Sequence, residues 1–129
     1  MRLEIEKKQP VDNPSESQVR TGILKLRSYG PSSFASLTDE TGNYLQIAGG
    51  GITCMLERRD ALTGRQYRAF QETENKNYPD GTLLVFGGGE IALFANEWFM
   101  NTVAAEAFVA FLLKKPLPDS IRWRVLTGT

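Results

Sequence analysis

Histidine is absent from all 129 residues. That omission removes the commonest general base and the commonest metal ligand together. Ser–His–Asp and Cys–His catalysis go with them, as does His-based zinc chemistry. Cysteine occurs once, as Cys54, so no intramolecular disulfide can form. Long apolar runs are missing too. The longest, Val103 to Leu113, is broken by Glu106 and falls short of the roughly 20 residues a membrane-spanning helix needs. The first residues, MRLEIEKKQP, alternate apolar and charged side chains and lack the apolar core of a secretory signal. An excess of either charge is also lacking, since 15 Lys and Arg balance 15 Asp and Glu. Nucleic-acid binders draw most of their affinity from a basic excess or stripe, and none is visible here. These absences predict a cytoplasmic protein with no metal, no cofactor, no membrane partner and no nucleic-acid partner.

What is present suits one globular domain spanning residues 1–129. The hydrophobic share is 41% and the charged share 23%. A chain of this size buries roughly two-thirds of its unfolded surface and needs no covalent staple. Leu3 and Ile5 alternate with Arg2, Glu4 and Glu6, the period of a half-buried strand. Asn13-Pro14-Ser15-Glu16 has the form of a helix start capped by Asn13. Val19, Ile23 and Leu26 then make one apolar stripe, and Gly30-Pro31 closes the helix. Short strands follow in succession: 34–38, 43–48, 52–58, 65–71, 82–86 and 90–94. Turn signals at Asp39–Gly42, Asp60–Gly64 and Pro79–Gly81 separate them. Asn101 or Thr102 is placed to cap a second helix with Ala104, Phe108, Phe111 and Leu112 on one face. Lys114 and Lys115 lie in its last turn, and Pro116 and Pro118 stop it. Ile121, Trp123 and Val125 alternate in a last strand with one buried face. The order strand, helix, strands, helix, strand predicts an α+β fold with a meandering, mostly antiparallel sheet and two helices.

Few residues invite chemistry. The triplets Gly49-Gly50-Gly51 and Gly87-Gly88-Gly89 lead into strands and carry no Gly-Lys-Ser/Thr ending, so they read as bends rather than phosphate loops. Glu90 and Glu97 are candidates for an acid–base pair. The plainer reading puts Glu97 in a helical turn beside Trp98 and Phe99. Cys54 lies mid-strand and reads as a small buried hydrophobe. Trp98, Phe99, Phe108, Phe111 and Trp123 read mostly as core. The polar run Glu72–Gly81 carries an exposed-type aromatic, Tyr78. Together with the first hairpin turn it offers carboxylates to a basic partner: Asp39, Glu40, Glu72, Glu74 and Asp80, with Tyr78 among them.

The segments LQIAGGG, GRQYRAF, PDGTLLVFGGGEI and EAFVAFLLKKPLPDSIRWR, in that order, resemble a family of immunity proteins from bacterial polymorphic toxin systems. It is the family that includes the guardians against deaminase toxins. The resemblance covers residues 44–126 and rests on Gly88-Gly89-Glu90, the helix from Ala104 to Leu113, Leu117-Pro118-Asp119 and Trp123. It implies a non-catalytic protein that binds a cognate effector toxin in the cytosol and blocks its active site. No small-molecule substrate is expected. The neutral charge departs from the acidic, nucleic-acid-mimicking style of many such inhibitors. A small carboxylate-dependent enzyme and a ligand-sensing or scaffold domain are the rival readings.

Overall fold

The computed structural model describes residues 1–126. These form nine strands and two helices, an α+β architecture richer in strands than the sequence pattern alone suggests. Strands β1 (Arg2–Ile5), β2 (Val11–Asp12), β3 (Phe34–Thr38), β4 (Tyr44–Gly50), β5 (Thr53–Arg59), β6 (Gln66–Phe70) and β9 (Arg122–Val125) build one antiparallel sheet in the order β2-β1-β3-β4-β5-β6-β9. Strands β7 (Thr82–Phe86) and β8 (Gly89–Leu93) make a separate hairpin. Helices α1 (Glu16–Leu24) and α2 (Asn101–Leu112) lie side by side.

Alternation decides which side chains meet the helices. Leu37, Leu45, Ile47 and Leu56 point to one face of the sheet, where Val19 and Ile23 of α1 and Ala104, Ala107 and Phe108 of α2 cover them. Phe108 is fully buried, and Phe108→Ala would cost about 3–5 kcal/mol. The small alanines of α2 allow the close approach of helix to sheet. The opposite face carries a second, smaller core: Ala48 and Met55 from the sheet, Leu84 and Leu93 from the hairpin, and Trp98. The hairpin therefore lies across part of the helix-free face.

Several local expectations are revised. Ser15, not Asn13, caps α1: its hydroxyl accepts from the Gln18 amide, and the Gln18 side chain accepts from the Ser15 amide. Asn13 instead takes a left-handed φ of 52° just after the short β2, an element too brief for its pattern to show. Helix α1 ends at Leu24 rather than at Gly30-Pro31. Beyond the helix the Leu26 carbonyl lies where a Cβ on Gly50 would be, so only glycine permits this approach. Neither Asn101 nor Thr102 caps α2. Met100 holds the cap position without a side-chain bond, and Asn101 Nδ2 donates across to the Leu24 carbonyl at the end of α1 while its backbone amide donates to the Gly51 carbonyl.

Lys114 and Lys115 fall beyond the last turn of α2. Lys114, at φ 57°, closes the helix in the left-handed conformation, with the Lys115 amide donating to the Ala110 carbonyl and the Lys114 amide to Phe111. Phe111 and Trp123 are only partly buried, and Val125 is 51% exposed. β9 is the edge strand, so the helices reach its inner face incompletely. Each glycine triplet straddles a strand end and a turn, with Gly49-Gly50 closing β4 and Gly89 opening β8. Gly51-Ile52 links β4 to β5, and Gly87-Gly88 links β7 to β8.

Candidate functional site

Strand register brings one polar residue from each of six strands into a row across the helix-free face. Glu4 stands opposite Ser36, Ser36 opposite Gln46, Gln46 opposite Glu57, Glu57 opposite Arg68, and Arg68 opposite Arg124. Cross-strand neighbours of this kind lie close enough for direct bonding. Gln46 Nε2 donates to Glu57 Oε1 at 3.0 Å, and Arg68 donates to Glu57 Oε2 through Nε at 2.9 Å and Nη2 at 2.6 Å. Glu97, 2% exposed, continues the chain between two arginines. Arg68 Nη1 is 3.9 Å from its Oε1, and Arg124 Nε is 3.7 Å from its Oε2. Arg124 Nη2 then donates to Asn96 Oδ1 at 3.0 Å, while its guanidinium stacks 4.3 Å from the Phe70 ring centroid.

Glu97 is thus not part of a surface helical turn. Its Oε1 accepts the Phe94 amide at 2.8 Å, and its own amide donates to the Phe94 carbonyl, closing a tight loop that aims the carboxylate inward. Glu90 sits in β8 beside the hairpin turn on its exposed side, with the rest of β8 between it and the buried Glu97. At about 3.3 Å of rise per residue the two acids cannot act as a pair.

Beside the row, where the hairpin overhangs the sheet, lies a half-open groove of about 370 Å³. Glu4, Ser36, Gln46 and Glu57 contribute its polar floor. Phe34, Met55, Phe86 and Ile91 form its apolar walls. Phe34 and Phe86 meet edge to face with centroids 5.9 Å apart. The hairpin is held over the groove by a small clasp. Fully buried Ser33 donates its amide and hydroxyl to Glu6 Oε1 at 2.8 and 2.7 Å, and its hydroxyl accepts the Gly87 amide at 2.7 Å. A Cβ on Gly87 would collide with the Glu6 carboxylate, which accounts for a glycine there. The two Ser33 bonds hold the Glu6 carboxyl below its ordinary value.

The six residues expected to meet a partner do not form one surface. Asp39 and Glu40 lie at the end of the sheet where Thr38 pairs with Tyr44, whereas Glu72 to Asp80 follow the opposite end of β6. Most are already engaged. Burial pushes the Asp39 carboxyl up, but bonds from Asn43 and Thr41 outweigh it and hold the group below its ordinary value. Glu40 meets the amino terminus and Lys114, each at 3.4 Å. Glu72 pairs with Arg122, and Asp80 accepts the Ala95 amide at 2.8 Å. Tyr78 is half-buried against Trp98, ring centroids 4.6 Å apart. Glu74 is exposed.

Cys54 is fully buried, and burial pushes its thiol up to about 12. It is no nucleophile at neutral pH. Among the described residues no three His, Cys, Asp or Glu side chains gather to hold a metal, and no helix is long and apolar enough to cross a membrane. No family model, curated protein or solved structure matches the chain.

Residue-by-residue reading missed Glu57, Arg68 and Arg124. Each strand shows its outward polar position by alternation. Nothing local shows that six such positions fall into register.

Proposed function

We propose that this chain is a toxin-neutralising immunity protein, binding a cognate effector toxin in the cytosol through its helix-free sheet face and blocking the toxin's active site. The observation that carries the reading is the pre-paired row on that face. Glu57, Arg68, Glu97 and Arg124 alternate in charge and hold one another in place. The partly exposed Arg124, with Arg68 and Glu57 beside it, offers a partner charges already fixed by the buried Glu97, at little ordering cost, which suits specific association. The Ser33 clasp holds the Glu6 carboxylate as a structural group, with both Ser33 donors on its Oε1. The sequence resemblance supplies the toxin as partner, and the balanced charge suits recognition by complementarity rather than by mimicry of nucleic acid.

The test is co-expression with the effector domain encoded beside this chain. Protection of the host cell, together with a one-to-one complex in size-exclusion chromatography, is the expected result. Arg68→Gln, with the fold checked by circular dichroism, should weaken both, while reversal of Glu16 on α1, across the sheet from this face, should leave both intact. An intoxicated cell that this chain does not rescue ends the reading.

A further inference from the structure

We infer that the groove beneath the β7–β8 hairpin is a receptor for an arginine side chain of the partner protein. The inference rests on the binding reading above and adds to it the chemistry of one central contact. Three carboxylates, those of Glu4, Glu6 and Glu57, line the groove, and no cationic side chain does. The cations of the row, Arg68 and Arg124, lie on the far side of Glu57 from Glu4 and share Glu97 between them, so the excess of carboxylate lies at the groove.

The acceptors are not used up. Among the described residues Glu4 meets only the Arg2 guanidinium, at 3.9 Å, beyond hydrogen-bond reach. Glu57 Oε1 accepts from Gln46 and retains a second lone pair. An incoming cation therefore finds unspent carboxylate capacity on the floor.

The walls choose among cations. Phe34, Phe86, Met55 and Ile91 present apolar surface along which a long aliphatic stem can lie, and two of the four are aromatic. A planar, weakly hydrated guanidinium gains from aromatic faces and from bridging separated acceptors. A compact, strongly hydrated ammonium gains less from both.

A volume of about 370 Å³ lies near the low end for ligand pockets, which bury most of a drug-sized ligand. A half-open groove of this size suits one side chain delivered by a surface rather than a free metabolite that must be enclosed. Its position beneath a hairpin pinned by Ser33 keeps the walls in place before binding, so little ordering is required.

The experiment is an amide NMR titration of the full chain with N-acetyl-arginine amide, against its neutral isostere N-acetyl-citrulline amide. Saturable shifts at Ser36, Gln46 and Gly87 are expected, with a Kd on the order of 1–10 mM for the arginine probe and at least about tenfold weaker binding of citrulline. Glu4→Gln, at a half-exposed position whose loss leaves the fold intact, should weaken the arginine probe about threefold or more. Phe86→Ala should do the same, and Glu90→Gln on the exposed side of the hairpin should change nothing. Equal binding of the two probes, no saturation by about 50 mM, or indifference to Glu4→Gln overturns the inference. Arginine selectivity without cellular protection would remove the toxin reading and leave the groove as assigned. Protection without arginine selectivity would do the reverse.

Discussion

Glu97→Ala is the most demanding test of the polar row as a structural unit. The carboxylate is 2% exposed and stands between Arg68 and Arg124 while accepting the Phe94 amide at 2.8 Å. Removing one member of a buried ionic group costs about 3–5 kcal/mol, mostly because the opposite charge is left uncompensated. Two features place this case at the low end. The Arg68 side chain keeps its two bonds to Glu57, and the Arg124 side chain is 35% exposed and can recruit water. The orphaned Phe94 amide adds to the cost. About 3 kcal/mol is expected, against a total near 5–15 kcal/mol for a domain of this kind. Glu97→Gln keeps the size and the acceptor for Phe94 but loses the charge, so about 1–2 kcal/mol is expected. Urea unfolding followed by tryptophan fluorescence reads both variants. With a slope of about 1–3 kcal/mol/M the alanine variant should unfold roughly 1–3 M earlier. A loss under about 1 kcal/mol for Glu97→Ala would refute the claim that this acid holds the two arginines.

Four further outcomes follow from other parts of the fold. Ser33→Ala removes the hydroxyl that joins Glu6 to the Gly87 amide, so amide exchange at Gly87 should speed up by about tenfold while α1 and α2 keep their protection. In the intact chain the lowered Glu6 carboxyl contributes stability above its unfolded value of 4.5 that is lost as pH falls through the folded value. The acid limb of an unfolding-versus-pH curve should therefore be flatter in Ser33→Ala. Cys54, with its thiol at about 12, should resist a thiol-specific reagent at pH 8 and react fully once urea unfolds the chain. Stoichiometric labelling of the native protein would contradict its burial. Lys114→Gly should raise the thermal midpoint, by the equivalent of about 0.5–1 kcal/mol. It relieves a left-handed non-glycine residue and gives up only an exposed pair with Glu40; a lower midpoint would show that the pair matters more than the backbone.

The chain's local patterns were legible from the residues. Alternation at Leu3 and Ile5 marked a half-buried strand, turn signals separated β3 to β6, and the 3.6-residue spacing marked α2. Both glycine triplets read correctly as bends, and Cys54 as a buried hydrophobe. Helix limits were less legible. After α1 ends at Leu24 the chain packs its Leu26 backbone against Gly50, 24 positions away in sequence, and no capping signal near Gly30 reports that.

The candidate site was hidden for the same kind of reason. A strand's pattern repeats every two residues, so it fixes a face but leaves register and neighbours undetermined. Turn geometry and helix packing set those, and they align Glu4, Ser36, Gln46, Glu57, Arg68 and Arg124. Glu97 shows the limit most sharply, since nothing in Ala-Asn-Glu-Trp marks a buried acid until Arg68 and Arg124 are brought around it. Sequence alone therefore determined the class of fold, the apolar stripes of the two helices, and the lack of imidazole chemistry. The tertiary structure decided which charges meet and where the hairpin leaves a groove, because those depend on contacts between residues far apart along the chain.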